Sequence, residues 1–214
     1  MKKINKLAEP KSLITYRQLP DARYDGPKFT PVKQDIRERL LKEQGHLCAY
    51  CMARIKINDM KVEHFSCRDK HPALQLTYSN LLGCCKGNEG QSRNQQTCDT
   101  RKGNNCLQYS PSILSHKIES RFSYTPRGKL FSSDLTFDQQ INNVLNLNYT
   151  RLVDNRLAAL DGALRELNRR PGTRTKAEIQ RLINKYSAKD TQDRFKSYYG
   201  FVLSELVKRH RRAP

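Results

Sequence analysis

Two separated pairs of cysteines constrain the fold of this chain more strongly than any other feature of its sequence. The first pair is Cys48 and Cys51, and the second consists of Cys98 with either Cys84 or Cys85. Thiolates two residues apart can reach one ion without strain, and four thiolates form the tetrahedral ligand set of structural zinc. We favour Cys85 over its neighbour as the third ligand, and we predict a zinc-organised module around the two pairs.

Other uses of these cysteines fit their spacing less well. A Cys-x-x-Cys redox pair of the thioredoxin kind belongs at a helix start within a βαβ unit, whereas here the pair precedes an alternating, strand-like pattern. Iron–sulfur ligands usually stand closer together than these two pairs do. We expect the thiols of Cys67, Cys84 and Cys106 to be packed rather than reactive. His46 is a minor candidate for replacing one cysteine at the zinc.

The residues between the two cysteine pairs are suited to catalysis. Glu63 and His64 follow each other near the end of a strand-like segment, and Asn80 stands between them and the second pair. A carboxylate can fix a hard cation beside a phosphate, and a neutral histidine can activate water. These are the requirements of a metal-dependent phosphodiester hydrolase. The other histidines have no comparable neighbouring residues, and we expect them to have no catalytic role.

The charge of the chain points to a polyanionic partner. Forty Lys and Arg against 21 Asp and Glu give a formal net charge of +19, which is spread over both halves of the 214 residues. Nucleic acid is the simplest partner, because its phosphates would be neutralised by these side chains. Binding to a membrane surface is disfavoured, since the sequence has neither tryptophan nor a Lys-rich amphipathic helix.

The sequence also favours a soluble protein in a reducing compartment. Its seven cysteines are an odd number, and their spacing is typical of zinc ligands rather than of disulfides. No apolar segment follows the first residues, and no stretch approaches the roughly 20 apolar residues that span a bilayer. We therefore expect a cytoplasmic protein without membrane association.

We predict an α+β fold in three segments. Residues 1–45 would form an extended amino-terminal arm that packs on the rest of the chain, followed by a lead-in helix that Thr30 caps and Gly45 ends. Residues 46–110 would form the zinc-stabilised module. Residues 111–214 would form a mainly helical, basic domain. The small module would carry the chemistry. The helical domain could be a docking surface for a partner, or its tyrosines and leucines could form a core of their own.

Within the module, alternating patterns predict a β-hairpin. Its strands would cover residues 54–57 and 61–65, joined by a turn at Asn58-Asp59, with His64 near the end of the second strand. The segment 86–97 contains almost no apolar residue, so we predict that it is an exposed insertion between the cysteines of the second pair.

After the insertion, the sequence becomes mainly helical. Cys98-Asp99-Thr100-Arg101-Lys102 resembles a first helical turn, in which Asp99 and Lys102 share one face. Apolar residues at helical spacing then predict three amphipathic helices, preceded by a short β-ribbon. The helices would cover residues 152–167, 179–186 and 195–207, and the ribbon residues 124–131.

At this point the motifs, taken together, resemble those of a known family. The stretch from His46 to Asn105 resembles HNH endonucleases of the zinc-bearing type, which have the ββα-metal fold, and in particular the PtuB-like HNH component of Septu and retron-linked bacterial anti-phage systems. The matching motifs, in chain order, are Cys48-Ala49-Tyr50-Cys51, Val62-Glu63-His64-Phe65, Asn80-Leu81-Leu82 with Cys85, Cys98-Asp99 and Lys102-Gly103. Residues 111–214 add little to the resemblance beyond being helical and basic.

The resemblance implies a role for each motif residue. His64 would be the general base, and Asn80 would brace the loop that orients its imidazole. Glu63 would ligate a catalytic Mg²⁺ or Mn²⁺ together with Asp99, which stands where the family commonly has Asn or His. Lys102 would touch a phosphate, and Arg101 would assist in binding nucleic acid. The zinc itself would be structural, held by Cys48, Cys51, Cys85 and Cys98.

The resemblance also implies a function in defence. The chain would be a nuclease effector controlled by a partner ATPase of the PtuA-like kind, and by a retron reverse transcriptase with its RNA–DNA product. DNA is the expected substrate, although a structured RNA such as a tRNA stays open. Two alternatives also stay open. One is a zinc-ribbon module that binds nucleic acid without catalysis, and the other is an adaptor within a defence complex.

Overall fold

Helices make up most of the secondary structure, and two small antiparallel sheets lie between them. The computed structural model describes residues 1–214, and it confirms the α+β class. The helices are α1 (Lys11–Tyr16), α2 (Phe29–Gln44), α3 (Cys98–Lys102), α4 (Leu135–Gln139), α5 (Thr150–Leu167), α6 (Lys176–Ser187) and α7 (Tyr199–Arg212). The strands are β1 (Lys61–His64), β2 (Leu81–Cys84), β3 (Ser123–Tyr124) and β4 (Leu130–Phe131).

The amino-terminal arm packs on the rest of the chain. Ile4, Leu13 and Tyr16 are buried, and the ring of Tyr16 lies 5.2 Å from that of Phe29 at the start of α2. The arm also contains α1, which the sequence does not reveal. With only six residues, α1 is too short to show a helical period.

The lead-in helix α2 ends as predicted but begins differently. Gly45 takes a left-handed conformation, with φ 57°, and forms the carboxy-terminal cap. The predicted cap at Thr30 is wrong, because Lys28, with φ 61°, marks the start of the helix and no side chain caps it. Phe29 is almost fully buried, and its ring packs between aromatic rings of the arm. Aromatic packing, rather than a polar cap, therefore positions this end of α2.

The sheet that carries the candidate catalytic residues pairs two strands that lie far apart in sequence. β1 runs antiparallel to β2, with His64 opposite Leu81. The hairpin predicted over residues 54–57 and 61–65 is therefore wrong in its first strand. Residue 54 makes only an isolated bridge, to Leu47. The residues of β2 are all buried. By pairing with β2, β1 therefore joins the core, whereas the predicted hairpin would have paired β1 only with its sequence neighbour.

The helical carboxy-terminal segment largely follows its apolar pattern. Helices α5, α6 and α7 confirm the three predicted helices, and β3 pairs with β4 to form the predicted ribbon. α7 begins at Tyr199 rather than near Phe195, because Tyr198, with φ 56°, takes a left-handed conformation that an α-helix does not contain. The sequence does not predict α4 or the π-helical turn that continues it over Gln140–Val144.

One connected core joins the parts of the chain. Buried side chains of the arm, of the β1–β2 sheet and of the carboxy-terminal helices belong to a single cluster, which includes Ile4, Leu81 and Phe201. The carboxy-terminal helices thus share their core with the module that carries the site. No helix combines the length and the apolar character that crossing a bilayer requires.

Candidate functional site

Four cysteines converge in the way that a tetrahedral metal ion requires. The Sγ atoms of Cys48, Cys51, Cys85 and Cys98 all lie within 4.8 Å of one another. Zn–S bonds of about 2.3 Å put the sulfurs of a regular tetrahedron about 3.8 Å apart, and the Sγ atoms of Cys51 and Cys85 are 3.8 Å apart. The group excludes Cys84 and His46, so these cysteines could hold a structural metal such as zinc without help from either.

The first cysteine pair lies in a tight turn that the carboxy-terminal segment supports. Met52, with φ 67°, reverses the chain after Cys51, and the Ala53 N–H donates to the Cys51 sulfur at 3.4 Å. The Tyr198 N–H donates to the Met52 carbonyl at 3.0 Å. The residues before α7 therefore hold the turn from outside.

A closed loop brings the second pair together despite the long segment between its members. At the base of this insertion, the Thr97 N–H donates to the Gly87 carbonyl at 2.9 Å. Gly87 has φ +55°, and a Cβ there would stand 2.0 Å from the Thr97 carbonyl oxygen, so only glycine fits. The Cys98 N–H then donates to the Leu145 carbonyl at 2.8 Å. Residues 88–96 can therefore extend outward without separating Cys85 from Cys98.

A buried arginine without an acidic partner lies near the cysteine cluster. Arg156 is 2% exposed, and its guanidinium donates only to the carbonyls of Gly128 and Leu147, both at 2.6 Å. Buried charges are normally paired with a charge of opposite sign. Cys51 and Cys98 are close enough to influence the pKa of Arg156 electrostatically. A zinc ion with four thiolates carries a net charge of −2 and would supply the missing counter-charge.

His64 is held in a defined orientation at the end of β1. Its Nε2 lies 2.9 Å from the Gln75 carbonyl oxygen, which can only accept, so the proton is on Nε2. Nδ1 has no partner within the chain and therefore carries the free lone pair. Burial lowers the pKa of His64 to about 4, which keeps the imidazole neutral near pH 7. In this state the ring can accept a proton at Nδ1.

Asn80 fixes the loop that holds His64. Its Oδ1 accepts from the Ser66 N–H at 2.8 Å, and its Nδ2 donates to the carbonyls of Ser66 and Leu74 at 3.0 and 3.3 Å. Leu74 directly precedes Gln75, the partner of His64. The side chain of Asn80 thus ties Ser66, the second residue after β1, to the stretch that orients the imidazole.

Two carboxylates meet beside His64. Glu63 and Asp99 lie within hydrogen-bonding reach of each other, and burial together with Asp99 raises the pKa of Glu63. Tyr50 donates to Glu63 Oε1 at 3.0 Å, and the Lys102 ammonium lies 2.8 Å from the same oxygen. Both of these donors bind Oε1, and no N–H or O–H donor of the chain binds Oε2. Two carboxylates held this close fit a hard divalent cation, which would relieve their repulsion.

The structure corrects the phosphate contact expected for Lys102. Its side chain is fully buried, paired with Glu63, and it donates to the His64 carbonyl at 3.2 Å. Its ammonium is already held by these two acceptors inside the module, so Lys102 is not a free contact for a phosphate. The guanidinium of Arg101 donates to the carbonyls of Arg93 and Asn143, which links the insertion to the carboxy-terminal segment. A nucleic-acid contact of Arg101 stays a prediction.

An open cleft of about 450 Å³ leads to these groups. Glu63, His64 and Asp99 line it, and so do residues that the sequence analysis does not single out. These include Tyr24, Lys33, Arg37, Lys61 and Arg68. The first three come from the arm and α2, outside the stretch that carries the motifs. The sequence around a basic residue in these segments does not distinguish it from other charged residues on the surface.

Comparisons with known proteins agree with the motif analysis. No family model matches the chain. It is 37% identical over 107 residues to the "retron Vc95 putative HNH endonuclease" of Vibrio cholerae serotype O1 biovar El Tor, a match that covers 47% of the chain and 51% of that relative. It is 28% identical over 130 residues to the Septu protein PtuB of Bacillus thuringiensis, which covers 56% of the chain and 46% of that relative. The chain thus spans about half the length of these relatives. Both similarities confirm the resemblance to HNH endonucleases of anti-phage systems.

Proposed function

We propose that this chain is a metal-dependent HNH nuclease that hydrolyses phosphodiester bonds. In this proposal β1, β2 and α3 form a ββα-metal module, with the general base on β1 and a cation ligand on α3. The observation that carries the proposal is the orientation of the His64 imidazole and the position of its proton. Its Nε2–H is committed to the Gln75 carbonyl, Nδ1 has no hydrogen-bond partner in the chain, and the residue lines an open cleft beside two carboxylates.

His64 would act on the attacking water. Nδ1 takes a proton from that water as its oxygen bonds to phosphorus, and the bond between phosphorus and the leaving oxygen breaks. Because Nε2 donates to the Gln75 carbonyl, the imidazolium that forms is stabilised in place. Asn80 acts as a positioning residue, since it holds the loop that contains this carbonyl.

Glu63 and Asp99 would hold the catalytic cation, Mg²⁺ or Mn²⁺. Both ions prefer oxygen ligands, and the facing carboxylates provide them. When bound, such an ion supplies charge stabilisation at the phosphate and at the leaving oxygen. Tyr50 and Lys102 hold Glu63 through Oε1, which leaves Oε2 free of donors and available to the cation. The four cysteines would hold a structural zinc that sets the position of α3 relative to the sheet.

The relatives support a place in bacterial anti-phage defence. One relative is named as an HNH endonuclease of a retron, and the other is named as a Septu protein. We infer a cytoplasmic effector that cleaves nucleic acid under the control of a partner ATPase, with a retron reverse transcriptase and its RNA–DNA product as a further partner. DNA is the first substrate to test, and structured RNA such as tRNA is the second. The net charge of +19 suits either polyanion.

The test is cleavage by the purified protein. Plasmid DNA and total RNA would be incubated with the protein in Mg²⁺, in Mn²⁺ or in EDTA, alongside the Glu63→Gln variant. A matched control is Glu166→Gln, which removes a carboxylate far from the cleft. We expect divalent-dependent cleavage by the wild type and the control only. Binding of nucleic acid without cleavage in any cation would instead indicate a zinc-ribbon binding module or an adaptor.

A further inference from the structure

Two residues that line the cleft carry buried hydrogen-bond donors that the fold itself leaves without a partner. Only four buried polar side-chain atoms in the chain lack a hydrogen-bond partner, and two of them are Tyr24 Oη and Arg37 Nε. Both residues line the cleft beside His64. Buried polar groups are nearly always paired, so two unpaired donors in one cleft point to an acceptor that comes from outside the chain.

Tyr24 is positioned by the same residue that orients His64. Its backbone N–H donates to the Gln75 side-chain oxygen at 3.0 Å, and the Gln75 carbonyl accepts from His64. The rings of Tyr24 and His64 meet edge to face, with their centroids 4.5 Å apart. Tyr24 is only 7% exposed, and burial raises the pKa of its phenol, so the hydroxyl keeps the proton that it can donate.

The groups around these donors favour an anion. Arg37 forms neither an ion pair nor a hydrogen bond within the chain, although Asp25 and Asp69 also line the cleft. The ammonium of Lys33 and the guanidinium of Arg68 lie 5.1 and 5.0 Å from the centroid of the Tyr24 ring. Lys33 is paired with Asp25 at 2.7 Å, whereas Arg68, like Arg37, has no acidic partner. One unpaired guanidinium, that of Arg68, therefore lies against the phenol ring, and a second, that of Arg37, belongs to the same cleft.

We propose that Tyr24 Oη and Arg37 Nε bind a nonbridging oxygen of the substrate phosphate beside His64, so that the arm and α2 complete a site whose base and cation ligands lie in the module. This inference rests on the proposed nuclease function. A phosphate oxygen can accept from both donors, and hydrogen bonds to an anion are strong where bulk water is excluded. Arg68 and Lys33 would add positive charge around the phosphate without forming a defined hydrogen bond to it.

Conservative substitutions test the two donors. Tyr24→Phe removes only the hydroxyl and keeps the ring against His64, and Arg37→Lys keeps the charge but removes Nε. The matched controls are Tyr186→Phe on α6 and Arg39→Lys on α2, neither of which lines the cleft. Cleavage of bis(p-nitrophenyl) phosphate, a diester without bases, reports on contacts to the phosphate alone. We expect kcat/KM to fall about 10- to 100-fold for each donor variant and to stay within about twofold for the controls.

A second measurement does not depend on cleavage. In the His64→Ala background, binding of fluorescein-labelled eight-nucleotide DNA and RNA is measured by anisotropy without divalent cations. Adding Tyr24→Phe or Arg37→Lys should weaken the Kd about tenfold or more. If the wild type cleaves nothing but the donor variants bind more weakly, the nuclease proposal fails and the phosphate site stands. If both donor variants bind and cleave within about twofold of their controls, the phosphate site is overturned. Arg37→Lys decides the question alone if Tyr24→Phe does not fold.

Discussion

The Lys102 ammonium lies 2.8 Å from Glu63 Oε1, with the lysine side chain fully buried and that of the glutamate 4% exposed. This ion pair joins α3 to β1 at the centre of the candidate active site. A second bond from Lys102 to the His64 carbonyl, at 3.2 Å, strengthens the link. The Lys102 ammonium thus holds in place the Glu63 carboxylate that we assign as a ligand of the catalytic metal ion. The stability of the fold should therefore depend on this ion pair.

Lys102→Met should destabilise the fold. Removal of one partner leaves a buried carboxylate uncompensated, which costs about 3–5 kcal/mol. Urea unfolding measures the loss. Lys86→Met is the control, because the pair of Lys86 with Asp59 is exposed and should contribute less than about 1 kcal/mol. The double variant Glu63→Gln/Lys102→Met should recover part of the loss. A Lys102→Met protein of wild-type stability with weakened nucleic-acid binding would instead restore the phosphate role expected from the sequence.

The stability of the protein should depend on pH through His64. Burial lowers the pKa of His64 to about 4 in the folded state, against about 6.5 in the unfolded chain. The unfolded chain therefore binds this proton more tightly. The contribution of His64 to stability is complete above about pH 6.5 and is lost as the pH falls towards 4. Without divalent cations, the unfolding free energy between pH 7 and 4.5 should fall more steeply for wild type than for His64→Gln, by up to about 3 kcal/mol. Parallel profiles would show that the imidazole is not shielded from water.

Two adjacent cysteines should behave differently towards zinc. The sulfur of Cys85 belongs to the cluster of four, whereas that of Cys84 does not. We expect one zinc per chain in the wild type and in Cys84→Ser, and loss of zinc together with stability in Cys85→Ser. Elemental analysis of the purified variants measures the metal. Equal zinc content in the two variants would contradict the assignment of ligands.

Two glycines in the insertion should respond differently to substitution by alanine, because a Cβ would clash at one of them and not at the other. Gly87 and Gly90 both have positive φ, 55° and 85°, but only at Gly87 would a Cβ meet another atom, the Thr97 carbonyl oxygen. Gly90→Ala should cost about 1 kcal/mol through backbone conformation. Gly87→Ala should cost distinctly more and should speed the transfer of zinc to a chelator. Equal effects would mean that the base of the insertion does not set the distance between Cys85 and Cys98.

The sequence predicts the metal cluster better than the sheet, for a physical reason. The ligands of one metal ion must lie close together in space however far apart they are in sequence. The positions of the cysteines therefore predict a long-range contact. A four-residue strand has no such requirement. The alternation at 54–57 is local, and nothing in it reveals that β1 prefers β2, whose buried residues follow a long loop.

The residues of the cleft show a second limit of sequence reasoning. The shared face of Asp99 and Lys102 follows from helical spacing, but the burial of Lys102 does not, because lysine is among the residues least often buried. Tyr24 and Arg37 stand in the arm and in α2, in no motif with the catalytic residues. Their proximity to His64 arises only when the arm packs on the module, and is therefore visible only in the tertiary structure.

The central claim is that the free Nδ1 of His64 takes the proton of the attacking water. The most direct measurement is the single-turnover cleavage rate of His64→Ala with Mg²⁺, with and without added imidazole, on protein that retains its zinc. We predict a loss of about 10²- to 10⁴-fold and a partial recovery that rises with imidazole concentration. A His64→Ala protein that cleaves at the wild-type rate without imidazole would contradict the account.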